Sequence, residues 1–338
     1  FYEPDQLSRV SLPTYPFERR RHWIDAPKPG STNQNDDLTA RRPPEEWFYL
    51  PHWRPTVYPE TLNVEEFAQD KRVWLVFTNE SRLCQSLLQT LSQYNQEVVQ
   101  VTSGTRFQKV SESAFTVSPR HRGDYESLIK QLRHKNIYKV VHCWSLDVNE
   151  NAAAQTDQEL LHFEKHQEQG FYSLINISHA LANFIPTDQS IDITVVADRL
   201  HDVYGTGHGS PGKATLIGPS LVIPQEVLQI TIHCIDLALA NTNTSRIVTK
   251  VLSEIENGSS DPMVAYRGDQ RLVPSYQRVQ LKNPAGLPTA LVDQGVYVIT
   301  GGLGKVGLTF ARYLGEKARA RLCLVSRTIF PERSQWQD

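Results

Sequence analysis

The sequence predicts a doubly wound, parallel α/β fold followed by the opening strand, helix and strand of a second one. Three observations carry this. Short apolar strands alternate with amphipathic helices, those strands are apolar throughout instead of on every second residue, and a glycine-rich turn joins one strand to one helix near the C-terminus.

The elements follow in order. Val73 to Thr78 (VWLVFT) is a short continuous apolar run, and Leu83, Leu87, Leu88 and Leu91 share one helical face just after it. Glu97 to Val101 is a second strand, Asp124 to His134 a helix with Leu128, Ile129 and Leu132 inward, and Lys139 to Trp144 (KVVHCW) a third strand. A helix from Leu160 to Asn183 leads to the strand Ile191 to Ala197 (IDITVVA). Glycines and prolines cluster between His201 and Pro224, where a long irregular loop is expected. Ile230 to Ile235 and Arg246 to Ile255 read as a last strand and helix, and Arg271 to Leu281 as an extended closing strand.

The 338 residues give a prior of about two domains. Lys plus Arg at 35 against Asp plus Glu at 37 leave a net charge of −2, so no basic field recommends nucleic acid. Cys84, Cys143, Cys234 and Cys323 stand too far apart in sequence for a zinc knuckle or a dense disulfide framework, which places the chain in a reducing compartment, the cytoplasm. No apolar run approaches the roughly 18 residues of a membrane span, so no membrane is expected. The chain starts at Phe1, not Met, and reads as a piece of a longer polypeptide.

The opening, 1–25, mixes Pro4, Pro13 and Pro16 with Arg19, Arg20 and Arg21 and with Tyr15, Phe17 and Trp23; it is expected to run extended over a surface. Its ERRRH run fits docking on a neighbouring domain better than RNA or membrane. Residues 26–46 lack the apolar side chains to pack and read as a flexible linker, as do residues 282–294.

One motif carries chemistry. The strand Gly295 to Thr300 (GVYVIT), expected to be buried, leads into Gly302, Gly304 and Gly307, which satisfy G-x-G-x-x-G. A helix with Phe310, Ala311, Leu314 and Ala318 inward follows, and the strand Arg321 to Val325 closes a βαβ unit. In such a unit the first glycine permits a tight turn, the second lets a pyrophosphate approach the backbone and the third allows close helix packing. The candidate cofactor residues are therefore Thr300, Gly301, Gly302, Leu303, Gly304, Val306 and Gly307, with Ser326 and Arg327 beyond the second strand. Arg327 stands near where an NAD enzyme carries an acid for the ribose, and an arginine there accommodates a 2′-phosphate, favouring NADPH. No catalytic residue and no metal ligand is assigned. After the strand at Val73 come Thr78, Asn79, Glu80 and Ser81, with no glycine and with a negative charge where a phosphate would sit, so the first sheet is read as a Rossmann-like wall without nucleotide.

Four other pairs are set aside. Tyr172 and Asn176 have Y-x-x-x-N spacing but precede any cofactor loop. Tyr313 and Lys317 have Y-x-x-x-K spacing, yet Tyr313 lies nine residues beyond Gly304, roughly 13 Å along the helix and away from the phosphates. His201 and His208 have no third ligand near them in sequence, and His233 and Cys234 are strand neighbours that face opposite sides.

Three segments resemble one family. Ser11 to Asp25 (SLPTYPFERRRHWID) resembles the linker after the acyltransferase domain of modular polyketide synthases. Trp47 to Pro55 (WFYLPHWRP) and Thr215 to Ile235 resemble the structural subdomain of their ketoreductase, and Gly295 to Thr328 resembles the opening of its catalytic subdomain, a short-chain dehydrogenase/reductase fold. The resemblance implies that residues 47–281 form the structural subdomain and 295–338 the start of the catalytic one. It implies reduction, with NADPH, of a β-ketoacyl thioester held on the phosphopantetheine arm of an acyl carrier protein. The acyltransferase and ketosynthase domains of the same polypeptide would be its neighbours. The serine, tyrosine and lysine of that chemistry lie downstream of the glycine loop in the family, so this chain alone is expected to be inactive; the alternative is a noncatalytic scaffold that docks carrier protein. Lys305 departs from the small residue usual in the loop and either adds a phosphate contact or crowds the cofactor.

Overall fold

The computed structural model describes residues 42–148, 159–186, 189–207, 209–239, 242–257, 261–281 and 286–327. The opening 1–25, most of the linker 26–46, residues 282–285 of the second linker, His208 and Thr328 lie outside them. The chain divides at Pro44, and every element below belongs to the unit Glu45–Asp338.

The first elements are β1 (Phe48–Thr56), α1 (Val64–Gln69), β2 (Val73–Phe77), α2 (Arg82–Gln93), β3 (Glu97–Ser103), β4 (Gln108–Lys109), β5 (Ala114–Val117), α3 (Arg122–Leu132) and β6 (Ile137–His142). After them come α4 (Glu159–His166), α5 (Ser173–Phe184), β7 (Ile191–Asp198), α6 (Pro211–Ala214), α7 (Ile217–Glu226), β8 (Ile230–Leu237), α8 (Thr244–Glu256), β9 (Met263–Arg267) and β10 (Gln270–Val279). All these strands form one ten-stranded sheet in the order β1-β10-β9-β8-β7-β6-β2-β3-β5-β4. Its interior pairs are parallel, while β1, β10 and β4 run antiparallel at the two margins.

The uninterrupted apolar runs are explained by helices on both faces. Leu75 and Phe77 of β2 join the core with Leu128 of α3 and Leu174 and Ile177 of α5, whereas Trp74 and Val76 join Leu87 of α2 and Val251 of α8. Successive strand residues face opposite sides, so a strand covered twice has no polar register. Ser81 caps α2 by accepting from the Cys84 N–H, and Asn243 caps α8 by accepting from the Arg246 N–H.

Several expectations are corrected. The stretch His201 to Pro224 is not one irregular loop, because α6 and most of α7 lie inside it. Pro211 is the first residue of α6 and Pro219 falls in the first turn of α7, where no intrahelical N–H is needed. The helix from Leu160 to Asn183 is interrupted by a π-helical turn, Gln167–Tyr172, which lets Gln167 Nε2 reach the Gly212 carbonyl at 2.8 Å and Thr215 Oγ1 at 2.9 Å. The strands β1, β4, β5 and β9 and the helix α1 carry too few apolar residues, or lie too near turn residues, to stand out in the sequence.

The remaining elements, β11 (Val296–Thr300), α9 (Lys305–Ala318) and β12 (Arg321–Val325), form a separate βαβ unit with a two-stranded parallel sheet. β11 is not buried as expected: Val296 and Val298 are 72% and 65% exposed, because α9 covers only the opposite face. Ala311, Leu314 and Ala318 do pack inward from α9, but Phe310 points out at 58% exposure. No helix among the described residues is long and apolar enough to cross a membrane.

Candidate functional site

The carboxyl ends of parallel strands are where ligands bind in doubly wound folds, at the crevice where the strand order reverses. In the large sheet that crevice opens between β2 and β6, since the chain proceeds from β2 outward to β3 and from β6 outward to β7 and β8. Trp144 fills it. The indole is 4% exposed and donates Nε1–H to the Thr78 carbonyl at 3.0 Å, while Asn79 Nδ2 donates to the Leu146 carbonyl at 2.8 Å. Ser81 takes one of the free donors of α2, the Cys84 N–H, and Glu80 stays exposed beside it.

Next to the plug, the strand ends carry charges that neutralise one another. Lys213 Nζ lies 2.8 Å from Asp147 Oδ1 and 2.7 Å from Asp198 Oδ1, and Arg199 pairs with both carboxylates. Asp236 accepts from the Leu200 and His201 amides, and the His201 ring, Arg267 Nη2 at 2.7 Å and the Leu200 amide together outweigh burial and hold its carboxyl below the usual range. Sequence reasoning missed this layer. Its visible signal was an aspartate at or just past the end of three apolar strands, Asp147, Asp198 and Asp236.

Beneath it lies a fully buried polar chain. Tyr125 donates its hydroxyl to Ser173 Oγ at 2.9 Å, and that hydroxyl lies 2.8 Å from His142 Nε2, whose ring stacks on Phe77. Burial holds His142 neutral by lowering its pKa to about 3, so Nε2 accepts from Ser173. Because the folded value lies below the unfolded 6.5, His142 stabilises the fold above about pH 6.5. Stability is then lost as pH falls towards 3, by up to about 1.4 kcal/mol per pH unit. Urea midpoints measured down this range are expected to decline in the wild type and to flatten in His142→Gln.

The second sheet presents a different surface at its carboxyl end. Gly301 makes the tight turn, at φ +68°, a role the motif had assigned to Gly302. Gly302 instead lies against β12: a Cβ there would come within 2.8 Å of the Ile299 carbonyl oxygen and of Leu324 Cβ. Gly307 brings α9 onto the turn, with an added Cβ only 2.5 Å from the Gly301 oxygen. Gly304 is unlike both. Its added Cβ would meet only the Gly301 oxygen, at 3.2 Å, so the protein's own packing leaves that space open.

Gly304 is also the N-cap of α9, which has no side-chain cap and no acid in its first turn. The donors at that helix end thus lack a side-chain partner next to the Gly304 space, an arrangement an oxyanion of a dinucleotide would fit. The Gly302 N–H donates to the Val325 carbonyl at 3.0 Å, which sets Ser326 and Arg327 beside the loop. Thr300 and Arg327 are exposed, Leu303 and Ser326 half-buried, and Val306 is 70% exposed.

Of the pairs set aside on sequence, His201 with His208 lies partly outside the described residues, and the other residues find separate surroundings. Asn176 donates to the Pro119 carbonyl at 3.1 Å, and Tyr172 meets the Phe171 ring edge to face. Tyr313 is exposed on α9, His201 pairs with Asp236, and His233 stands near the Asp261 carbonyl. Burial pushes the Cys234 thiol up to about 12, and Cys84 and Cys143 are equally buried, so the exposed thiol is Cys323 on β12. Among the described residues no cluster of His, Cys, Asp or Glu could hold a metal ion.

The family model described as beta-ketoacyl synthase-like, N-terminal matches residues 72–250, and the KR domain model matches residues 295–337. A phenolphthiocerol/phthiocerol polyketide synthase of Mycobacterium tuberculosis is 33% identical over 125 residues, which are 36% of this chain and 6% of that protein. 6-Methylsalicylic acid synthase of Aspergillus terreus is 43% identical over 70 residues, 21% of this chain and 3% of that protein. Among solved structures, an adenylation, ketoreductase and pseudo-Asub multidomain structure of a keto acid-selecting NRPS module superposes with a TM-score of 0.69 at 22% identity, covering 86% of this chain and 23% of that one. An N-terminal ketoreductase from the macrolactin assembly line superposes with a TM-score of 0.61 at 20% identity, covering 85% of this chain and 55% of that one. These two show a shared fold. The chain thus spans a small fraction of the curated relatives it matches.

Proposed function

We propose, since this chain belongs to the beta-ketoacyl synthase-like, N-terminal family and is the ketoreductase region of a modular polyketide synthase, that it supplies the structural wall and the cofactor-binding turn of an NADPH-dependent β-ketoacyl reductase. Residues 47–281 take the structural role: their crevice is filled by Trp144 and their strand-end charges are spent on one another. Residues 295–338 begin the catalytic subdomain. The observation that carries this is Gly304, the one glycine of the motif whose missing Cβ leaves space that the protein does not use, in front of uncapped helix donors.

NADPH, when bound, would supply the hydride. Thr300, Gly301, Gly302, Leu303, Gly304, Val306 and Gly307 would shape the bed for it, and Ser326 and Arg327 would meet the adenosine ribose and its 2′-phosphate. In the parent enzyme the acceptor would be a β-ketoacyl chain on a carrier protein, presented among acyltransferase and ketosynthase neighbours. The uncovered face of the two-stranded sheet, with Val296 and Val298 on β11 and Val325 on β12, suits a partner layer such as a doubly wound sheet carries on both sides.

Within these residues Tyr313 is the one tyrosine that follows the glycine loop, and it is exposed on α9, nine residues beyond the Gly304 N-cap. No tyrosine that follows the loop is therefore in place beside it among the described residues, and the 338-residue chain is expected to reduce no β-keto thioester. Turnover at an ordinary rate of about 1–1000 per second would overturn that.

Ligand-observed NMR titration tests the cofactor reading. The chain is expected to bind NADPH weakly and NADH more weakly still, with Arg327→Ala removing the difference. Equal binding of the two by the wild type would remove Arg327 from the 2′-phosphate role, and binding of neither would remove the dinucleotide reading.

A further inference from the structure

We propose that Lys305 grips the pyrophosphate of the dinucleotide, as a second cation distinct in role from Arg327; this rests on the dinucleotide reading above. Lys305 is the first residue of α9 and is exposed. A cation at the positive end of a helix is disfavoured, and nothing local offsets it: the first turn holds no acid, Gly304 provides no side-chain cap, and Lys305 enters no ion pair among the described residues. A bound anion would reverse the sign of that placement. It would take the helix donors and the ammonium together.

The geometry separates this cation from the other. Gly304, immediately before Lys305, is where the backbone leaves room for a close approach, and the Cα–Cβ bond of a helical residue tilts towards the helix N-terminus, so the Lys305 stem starts out towards that space. Arg327 stands two residues past β12, across the Gly302 to Val325 hydrogen bond from the helix start. In a βαβ dinucleotide site the pyrophosphate lies on the helix and the adenosine ribose at the end of the second strand. Lys305 therefore meets the group that NADPH and NADH share, and Arg327 the group that only NADPH has.

Crowding is the opposite expectation for a long side chain in a glycine loop. The exposure of Lys305 argues against it, since a flexible four-carbon stem at an exposed position can swing clear, whereas a Cβ on Gly304 could not. The charge then remains where the anion arrives.

The test titrates NADPH and NADH into the 338-residue chain and into Lys305→Ala, Lys305→Gly and Arg327→Ala by ligand-observed NMR, at low and high salt, with thermal melts as a check on folding. Lys305→Ala is expected to weaken both dinucleotides alike, roughly three- to tenfold at low salt, with the loss shrinking as salt rises. Arg327→Ala is expected to weaken NADPH and spare NADH. Tighter binding by Lys305→Gly would show that the side chain crowds the site, and a loss confined to NADPH would put it on the 2′-phosphate; either overturns the proposal. Wild-type binding that Lys305→Ala leaves unchanged overturns it alone. A wild type that binds neither dinucleotide overturns the cofactor reading itself, and this inference with it.

Discussion

Gly307→Ala is expected to unfold the βαβ unit while leaving the ten-stranded sheet intact, and Gly304→Ala is expected to do the reverse of damage to the fold, abolishing NADPH binding alone. The new methyl at 307 would sit 2.5 Å from the Gly301 oxygen and 2.7 Å from Gly302 Cα, backbone atoms that cannot give way without opening the turn. Overpacking of that kind costs about 1–3 kcal/mol where neighbours can yield, and more where they are backbone. The unit has little to oppose it, since α9 buries only Gly307, Ala311, Leu314 and Ala318 against two strands. Trypsin reports the opening directly, because Arg312, Lys317 and Arg319 lie in or next to α9. Cleavage there is expected to quicken at least about tenfold, the factor that corresponds to about 1.4 kcal/mol. Trp74 and Trp144 belong to the other sheet, so their fluorescence and its urea midpoint are expected to stay put.

At 304 the added methyl meets one oxygen at 3.2 Å and otherwise nothing, and φ there is an ordinary −78°. Replacing a glycine N-cap by alanine costs roughly 0.5–1 kcal/mol, less than the backbone clash at 307. Trypsin resistance is therefore expected to persist while the NADPH signal disappears. If Gly304→Ala bound NADPH as the wild type does, the space in front of α9 would have no ligand to explain it, and the cofactor proposal would fall.

The same three glycines show how far the sequence alone reaches. Strand, glycine turn, helix and strand are all legible, because each has a local signature in apolar runs and spacing. Which glycine does what is not legible. The tight turn belongs to Gly301, one residue before the motif, and Gly302 is needed for the approach of Leu324 from a strand some twenty residues on. That contact is tertiary, and no window of sequence contains it. Phe310 fails for a related reason: periodicity places it on the helix face next to Ala311, but which side of that face meets the sheet is decided by Gly307, where α9 comes closest.

In the large sheet the buried strands are legible because two-sided burial leaves an apolar run that needs no knowledge of neighbours. The marginal strands are not. β1 carries Pro51 and Pro55 and is exposed along its first residues, as an edge strand tolerates, so it resembles a loop until β10 is seen beside it. The helices α6 and α7 hide behind prolines: Pro211 and Pro219 stand in first turns, where they are permitted, but Pro224 lies inside α7 near its end, where sequence rules expect a break. The Trp144 plug is hidden more thoroughly, since a tryptophan at a strand end is unremarkable until the reversal of strand order places it over the crevice.

Lys213→Met is expected to be the most destabilising change in the large sheet, and its pH dependence distinguishes charge from packing. Lys213 is 1% exposed and its ammonium holds the Asp147 and Asp198 carboxylates together. Methionine fills most of the stem's volume, so what is lost is the countercharge; breaking a buried pair in this way costs about 3–5 kcal/mol. Burial already raises the Asp198 carboxyl above its usual range, with Lys213 opposing that rise. Without Lys213 the carboxyl rises further, so the folded variant binds a proton that the unfolded chain, at about 3.9, releases. A raised carboxyl pKa means that folding loses stability as pH climbs from the unfolded value through the folded one. The deficit of Lys213→Met relative to wild type is therefore expected to be full near about pH 8 and to shrink at about pH 5. His142 weakens both proteins in that acid range and cancels from the difference. Adding Asp198→Asn, which removes the stranded charge, is expected to recover part of the loss at about pH 8 and little at about pH 5. A deficit equal at both pH values, unrelieved by Asp198→Asn, would mean that Lys213 serves the fold through its stem and not through its charge.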